Sequence, residues 1–327
     1  MPKQIVISEL GGPEVLKYQN YDLPSNIKNN EVRIKHTAIG LNYIDTYHRS
    51  GIYPLPSTLP VCPGLEAAGE VVDIGVNVKA FKIGDRVAYA SPPMGAYCDI
   101  RDFPENKLIN IPNFLKNDDV ASILLQGMTV EYLFERLYKI QKNEFILFHA
   151  AAGGVGLVAS QWAKSIGCKM IGTVSTPEKA EIAKEHGCEY IINYREENVS
   201  KKVMEITNNQ GVQVVYDGVG RDTFLESINS LSVRGLLVSF GQSSGMVDKL
   251  DLHQTFNPKS LFYTRPNLMN YTLNNEELKE CSNKLFEKMR IGEIKSNIFK
   301  KIKLEEAQKA HEILQSRKSF GSIILEP

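Results

Sequence analysis

The chain has 327 residues, 43% of them hydrophobic and 23% charged, and its 38 basic and 38 acidic side chains leave no formal net charge. That length carries two domains and a large core, while the balanced charge argues against a general role on nucleic acid or at a membrane surface, both of which ask for a net basic face. No apolar run approaches the roughly 18 residues of a membrane-spanning helix, and the five scattered cysteines, Cys62, Cys98, Cys168, Cys188 and Cys281, show no CxxC and fit free thiols in a reducing, cytoplasmic setting.

In chain order, the N-terminus has no signal-peptide shape. Residues 3–8 and 31–38 alternate apolar with polar, as half-buried strands do, and residues 67–74 and 85–90 read as further short strands. Gly11-Gly12-Pro13, Pro63-Gly64, Gly75 and Gly84-Asp85 punctuate them as turns. This first part is expected to be β-rich, a partly open barrel. From about residue 118 the texture changes. Residues 118–138 read as helix with a short break at Gly127. Strands are then expected at 145–148, 169–174, 189–193, 212–216 and 236–240, alternating with helices at 177–186, 199–208 and 223–231. That alternation means βαβ units and a parallel sheet. Two more helices, 275–291 and 304–316, precede a closing strand at 321–325, which is expected to return to the first domain because the alternation has ended.

The stretch from Phe145 to Gly167 organises the second part. An apolar run, FILF, leads into Ala151-Ala152-Gly153-Gly154-Val155-Gly156. Val155, Val158, Ala159, Trp162 and Ile166 then fall on one helix face, and Gly167 is placed to end it. A strand, a tight glycine turn and a new helix form a dinucleotide-binding unit. Small residues admit the pyrophosphate, and the helix N-terminus faces its charge. The match is A-x-G-x-x-G, and the alternative is an ordinary strand-to-helix turn. A carboxylate closing the next strand would bond the ribose 2′-hydroxyl of NAD. Here that strand ends Val174-Ser175-Thr176, and the first carboxylate, Glu178, belongs to the following helix. A neutral strand end with Lys179 nearby suits the 2′-phosphate of NADPH; the alternative is that Lys179 is a solvated helix residue. None of the histidines, His36, His48, His149, His186, His253 and His311, pairs with a cysteine at ligand spacing, so no zinc site is expected. His149, after an apolar strand, reads as a packed residue. No G-x-S-x-G elbow marks a serine triad.

Motifs along the whole chain carry a resemblance. They include GGPEVL at 11–16, GLNYIDTY at 40–47, PGLEAAG at 63–69, GDRV at 84–87 and FHAAAGGVG at 148–156. INYREE at 192–197, VVYDGVGRDT at 214–223, SFG at 239–241 and AHEIL at 310–314 complete the set. The chain resembles the zinc-independent NADPH:quinone oxidoreductases, the ζ-crystallin-like group of the medium-chain dehydrogenase/reductase superfamily. The resemblance implies a GroES-like catalytic domain over residues 1–125 and 266–327 and a Rossmann NADPH-binding domain over 126–265. Zinc-dependent relatives carry a cysteine where this chain has Asn42, a histidine where it has Leu65, and a four-cysteine loop after the strand near Cys98, so a metal Lewis acid is not expected.

Residue by residue, the resemblance places Gly153, Gly154, Val155 and Gly156 on the pyrophosphate. It puts Ser175 and Lys179 near the adenosine phosphate, Tyr194 and Arg317 at further cofactor-contacting positions, and Gly218, Val219, Phe240, Gly241 and Gln242 toward the ribose and nicotinamide. Asn42, Asp45, Tyr47, Tyr53 and Arg265 match the substrate cleft. Other roles stay open for three of these: packing for Tyr53, a structural ion pair for Arg265, and orientation of Tyr47 or a backbone group for Asp45. The implied activity is reduction of quinones with NADPH by hydride or single-electron transfer. The alternatives are reduction of the double bond of enones and alkenals, and a non-catalytic RNA-binding role as in some ζ-crystallin relatives. A small-molecule quinone or enone is the expected partner, and a homodimer the expected assembly, pairing through residues 236–240 or the segment just after.

Overall fold

The computed structural model describes residues 1–327, which divide into two compact units. The first comprises Met1–Met128, Thr272–Arg290 and Ser296–Pro327; the second comprises Thr129–Tyr271 and Ile291–Lys295.

The first unit opens with an antiparallel pair, β1 (Lys3–Val6) and β2 (Lys17–Asn20). Its organising strand is β3 (Glu31–Leu41), where Val32, Ile34, His36 and Ala38 alternate into the core. Along one edge β3 pairs with β4 (Glu66–Ile74), which pairs in turn with β5 (Arg86–Ala90). β6 (Ile100–Pro104) takes the other edge over Glu31–Lys35, and β7 (Ile109–Asn110) flanks β5. Ile5, Ile34, Val71, Val87, Tyr97 and Phe103 belong to its core.

The eight-residue helix Tyr43–Ser50, directly after β3, was not expected. It is too short to show a clear 3.6-residue period. Asp45 accepts from the Asn42 backbone N–H at 2.9 Å at its start, and Gly51 ends it in the left-handed region at φ 77°. The expected helix at 118–138 breaks at Ser122-Ile123, between Asn117–Ala121 and Leu124–Glu131, rather than at Gly127. Gly127 stays helical, and Leu285 packs on its bare Cα, where a Cβ would stand 2.5 Å from a leucine methyl.

The second unit is a six-stranded sheet, parallel throughout: β8 (Phe145–Phe148), β9 (Lys169–Val174), β10 (Tyr190–Asn193), β11 (Val212–Asp217), β12 (Leu231–Ser239) and β13 (Phe262–Thr264). The order β10-β9-β8-β11-β12-β13 is the doubly wound arrangement, with its direction reversing between β8 and β11. Continuous apolar strands such as FILF belong here because helices cover both faces. The helix Gly154–Ile166 buries Leu157, Val158, Ala159, Trp162 and Ala163, and the Trp162 indole N–H donates to Glu135 at 3.0 Å. β12 begins five residues before the expected 236, and β13 lies beyond it, so 236–240 is interior and the later segment forms the edge.

The chain then returns to the first unit. β14 (Ile298–Lys303) runs parallel to β15 (Ser322–Glu326), and β15 pairs antiparallel with Ile39–Leu41 of β3, as expected of the closing strand. No helix is long and apolar enough to cross a membrane, and all five cysteines are free.

Candidate active site

In the second unit the glycine turn sits at the end of β8, where the strand order reverses. Gly156 is compelled by sterics: a Cβ there would lie 2.3 Å from the Ala150 carbonyl oxygen and 2.6 Å from that of Ala151. At Gly153 the same added atom would meet only the Ala150 oxygen, at 3.2 Å, and open space otherwise. The 13-residue helix that starts there has glycine at its N-cap and no side-chain cap, and a helix N-terminus favours negative charge.

A chain of buried side chains, only partly foreseen, shapes this turn. Ser227 donates to Asp217 Oδ2 at 2.8 Å, so it accepts from His149 Nε2 at 3.0 Å. His149 Nδ1 then accepts from the Thr173 hydroxyl at 3.1 Å, and that hydroxyl accepts the Ala150 N–H at 3.2 Å. Burial holds His149 below the usual imidazole range, and Ala150 sits in the left-handed region at φ 59°. Asp217 Oδ1 takes the N–H groups of Val219 and Gly220 at 2.8 and 3.0 Å. The Asp217 carbonyl receives Phe240 N at 2.9 Å, and a Cβ at Gly241 would press 2.6 Å from the Gly218 oxygen. Gly218, Val219, Phe240 and Gly241 are thereby brought together. Arg265 joins them, donating to Ser239 Oγ at 3.1 Å and Gln242 Oε1 at 2.6 Å.

The end of β9 carries no carboxylate. Ser175 and Lys179 are half-buried there, the Lys179 N–H is capped by Thr176 Oγ1 at 3.3 Å, and the Tyr194 N–H donates to the Val174 carbonyl at 3.1 Å. This neutral end and the open side of Gly153 fit a nicotinamide dinucleotide carrying a 2′-phosphate.

In the first unit the predicted residues Asn42, Asp45, Tyr47 and Tyr53 lie on and around the helix Tyr43–Ser50. Tyr47 is buried and its ring stands 5.1 Å from that of half-buried Tyr53. Asn42 Nδ2 donates to Glu66 Oε2 at 2.6 Å, and Glu66 Oε1 accepts from Leu125 N at 2.8 Å. Burial, with Asp45 adding repulsion, raises Glu66 to about 8. Asp45 accepts from the Tyr97 hydroxyl at 3.0 Å, which also contacts His311 Nε2 at 3.0 Å. Glu66 and His311 lie within the family motifs and Tyr97 outside them, and no local pattern gave any of the three these partners. Arg317 is exposed in this unit, with a left-handed φ of 58°.

Asn42 and Leu65 stand at the two positions where zinc-dependent relatives carry ligands, and Leu65 is packed in the core. His36 does approach Cys98, with Nδ1 3.9 Å from Sγ. However, Nδ1 donates to the Cys98 carbonyl at 2.7 Å and Nε2 meets the Tyr89 hydroxyl at 3.0 Å. No group of three His, Cys, Asp or Glu assembles anywhere in the structure.

Residues 28–133 match the alcohol dehydrogenase GroES-like domain family and residues 154–288 the zinc-binding dehydrogenase family. A quinone oxidoreductase of Pseudomonas aeruginosa is 46% identical over 100% of both chains. A 2-haloacrylate reductase from Burkholderia is 40% identical over 98% of each. The crystal structure of Escherichia coli quinone oxidoreductase complexed with NADPH superimposes with a TM-score of 0.97 at 46% identity, covering 99% of this chain and 100% of that one. With whole-chain identity at this level and the same two-part architecture, the chain belongs to the quinone oxidoreductase family of the medium-chain dehydrogenase/reductase superfamily.

Proposed function

We propose that this protein reduces quinones with NADPH. The observation that carries the reading is the glycine turn and the helix beginning at Gly154, at the strand-order reversal, next to a β9 end that offers Ser175 and Lys179 instead of a carboxylate. Gly153, Gly154, Val155 and Gly156 hold the pyrophosphate through backbone groups. Ser175 and Lys179 serve the adenosine phosphate, and Tyr194 is a further cofactor contact. Gly218, Val219, Phe240, Gly241 and Gln242, braced by Asp217, position the ribose and nicotinamide. NADPH, when bound, supplies the two electrons and one proton of a hydride. Asn42, Asp45, Tyr47 and Tyr53 of the first unit orient the substrate oxygen and limit water around it. The Pseudomonas aeruginosa relative named as a quinone oxidoreductase and the Escherichia coli structure complexed with NADPH support this reading.

A second reading is favoured by one observation, the 40% identity to a 2-haloacrylate reductase. Both substrate classes place an electron-poor carbon beside a carbonyl oxygen, and the same residues serve either. Fluorescence titration with NADPH and NADH, then parallel assays with 1,4-benzoquinone, a small enal and 2-chloroacrylate, tests both. Tight NADPH binding with quinone turnover supports the first reading. A strong NADH preference, or no nucleotide binding, removes it, and turnover of the acrylate or enal alone favours the second.

The protein is further proposed to act as a cytoplasmic homodimer that pairs through β13. Phe262 and Tyr263 on that edge strand are 61% and 46% exposed, an apolar edge that a second copy would cover.

A further inference from the structure

Asp217 ends β11 as a buried residue, and its two carboxylate oxygens serve different segments of the second unit. Oδ1 accepts the N–H groups of Val219 and Gly220 at 2.8 and 3.0 Å and so holds the loop after β11. Oδ2 accepts the hydroxyl of Ser227, on the helix Phe224–Ser230, at 2.8 Å. The Thr223 hydroxyl bridges the two oxygens at 2.9 and 2.7 Å. A carboxylate only accepts, and that direction passes along the chain. Ser227 has spent its hydrogen on Asp217, so the His149 proton lies on Nε2, 3.0 Å away. Nδ1 is left to accept from the Thr173 hydroxyl at 3.1 Å, and the Thr173 oxygen accepts the Ala150 N–H at 3.2 Å. Asp217, Ser227, His149 and Thr173 are each no more than 2% exposed.

We propose that Ser227, His149 and Thr173 are positioning residues for the dinucleotide, which make one carboxylate, Asp217, the common support of the turn 150–156 and the loop 218–220. This rests on the nucleotide-binding reading above. β8 and β11 are the neighbours between which the strand order reverses, and a dinucleotide at such a switch point lies across both strand ends. The same residue types could make a serine nucleophile, but there the hydroxyl gives its hydrogen to histidine. Here Ser227 gives it to the carboxylate and is fully buried.

What the chain fixes at its far end is the N–H of the one strained residue in the turn. On either side the backbone is already tied, His149 N–H to the Tyr216 carbonyl at 3.0 Å and Ala151 N–H to the Thr173 carbonyl at 3.0 Å. Between them Ala150 stands at φ 59°, a left-handed conformation that a residue with a Cβ disfavours. That twist aims the Ala150 carbonyl into the turn, where it accepts the Gly153 N–H at 2.9 Å. The same oxygen is the one a Cβ at Gly156 would meet at 2.3 Å. Burial holds His149 below the usual imidazole range against the charges of Asp217 and Glu226, so the ring stays neutral and Nδ1 stays an acceptor.

Nitrogen NMR of the imidazoles in the full chain, with His149→Gln assigning the signal, reads the direction of the chain. A neutral His149 with its proton on Nε2 is expected. Thr173→Val keeps the shape of the side chain and removes the hydroxyl. It should weaken NADPH and NADH by the same factor, about tenfold, because the pyrophosphate is common to both, whereas Lys179→Ala is expected to act on NADPH alone. Thr173→Ser keeps the hydroxyl and should hold both affinities within about threefold of wild type. A residue that served stability alone would lower the melting temperature in Thr173→Val and leave both affinities as they were. If Thr173→Val does not fold, Ser227→Ala cuts the chain beside Asp217; it should free the His149 tautomer and weaken both nucleotides together. The proposal is overturned if His149 carries its proton on Nδ1, if Thr173→Val leaves both affinities within about threefold, or if NADPH alone weakens. It falls with the nucleotide-binding reading, and distinguishably so, if the wild-type chain itself binds neither nucleotide.

Discussion

Glu66 is buried at the start of β4 with the Asn42 amide and the Leu125 N–H as its hydrogen-bond partners. Its carboxyl is raised to about 8 from an ordinary 4.5, so the folded chain binds more protons than the unfolded one between those values. The stability this group contributes is therefore fully present below about pH 4.5 and lost as pH rises through about 8. Replacing Glu66 by Gln removes the titration. Melting followed from pH 5 to pH 9 should fall less steeply in the variant, by up to a few kcal/mol of differential stability. Lys179 poses the nucleotide question at the same scale. Lys179→Ala should weaken NADPH about tenfold, roughly 1.4 kcal/mol, and leave NADH nearly unchanged; equal losses for both nucleotides would place the lysine elsewhere. The absence of a carboxylate after Val174 could be read directly from the residues. The partners of Glu66 could not, because the sequence around it shows only that a carboxylate follows Leu65.

Among the elements, the glycine turn was the most legible. Glycine placement, a short apolar strand and a 3.6-residue stripe are local properties, and the turn forms where they indicated. Its depth of support was not legible. The path from Asp217 through Ser227, His149 and Thr173 to the Ala150 N–H joins two strands, a helix and the turn after β8. Gly156→Val would drive a Cβ into two fixed carbonyls. Backbone cannot yield as a side-chain tip can, so a stability loss of about 1–3 kcal/mol is expected, with at least about tenfold weaker NADPH binding. Calorimetric melting and nucleotide titration check the two arms separately. The helix Tyr43–Ser50 escaped notice because eight residues give barely two turns of pattern. The glycine at 127 marks close packing and not a break, since Leu285 fills the space a side chain there would occupy.

For the whole molecule, the strand order assigns the edge of the second unit's sheet to β13, which three residues and no periodicity could not announce. If two copies pair there, Phe262→Lys together with Tyr263→Lys should shift the mass seen by light scattering from dimer to monomer, with NADPH binding kept; an unchanged mass would put the interface elsewhere. Alternation of β and α segments, the dinucleotide turn and the lack of a metal-ligand pattern were determined by the sequence alone, because each depends on neighbours within a few residues. Tertiary structure alone decided that Asn42 would meet Glu66 across 24 residues and Tyr97 meet His311 across 214. Desolvation and donor direction, the two quantities that set what a carboxyl can do, are properties of what the fold packs around it, and no local stretch of chain carries them.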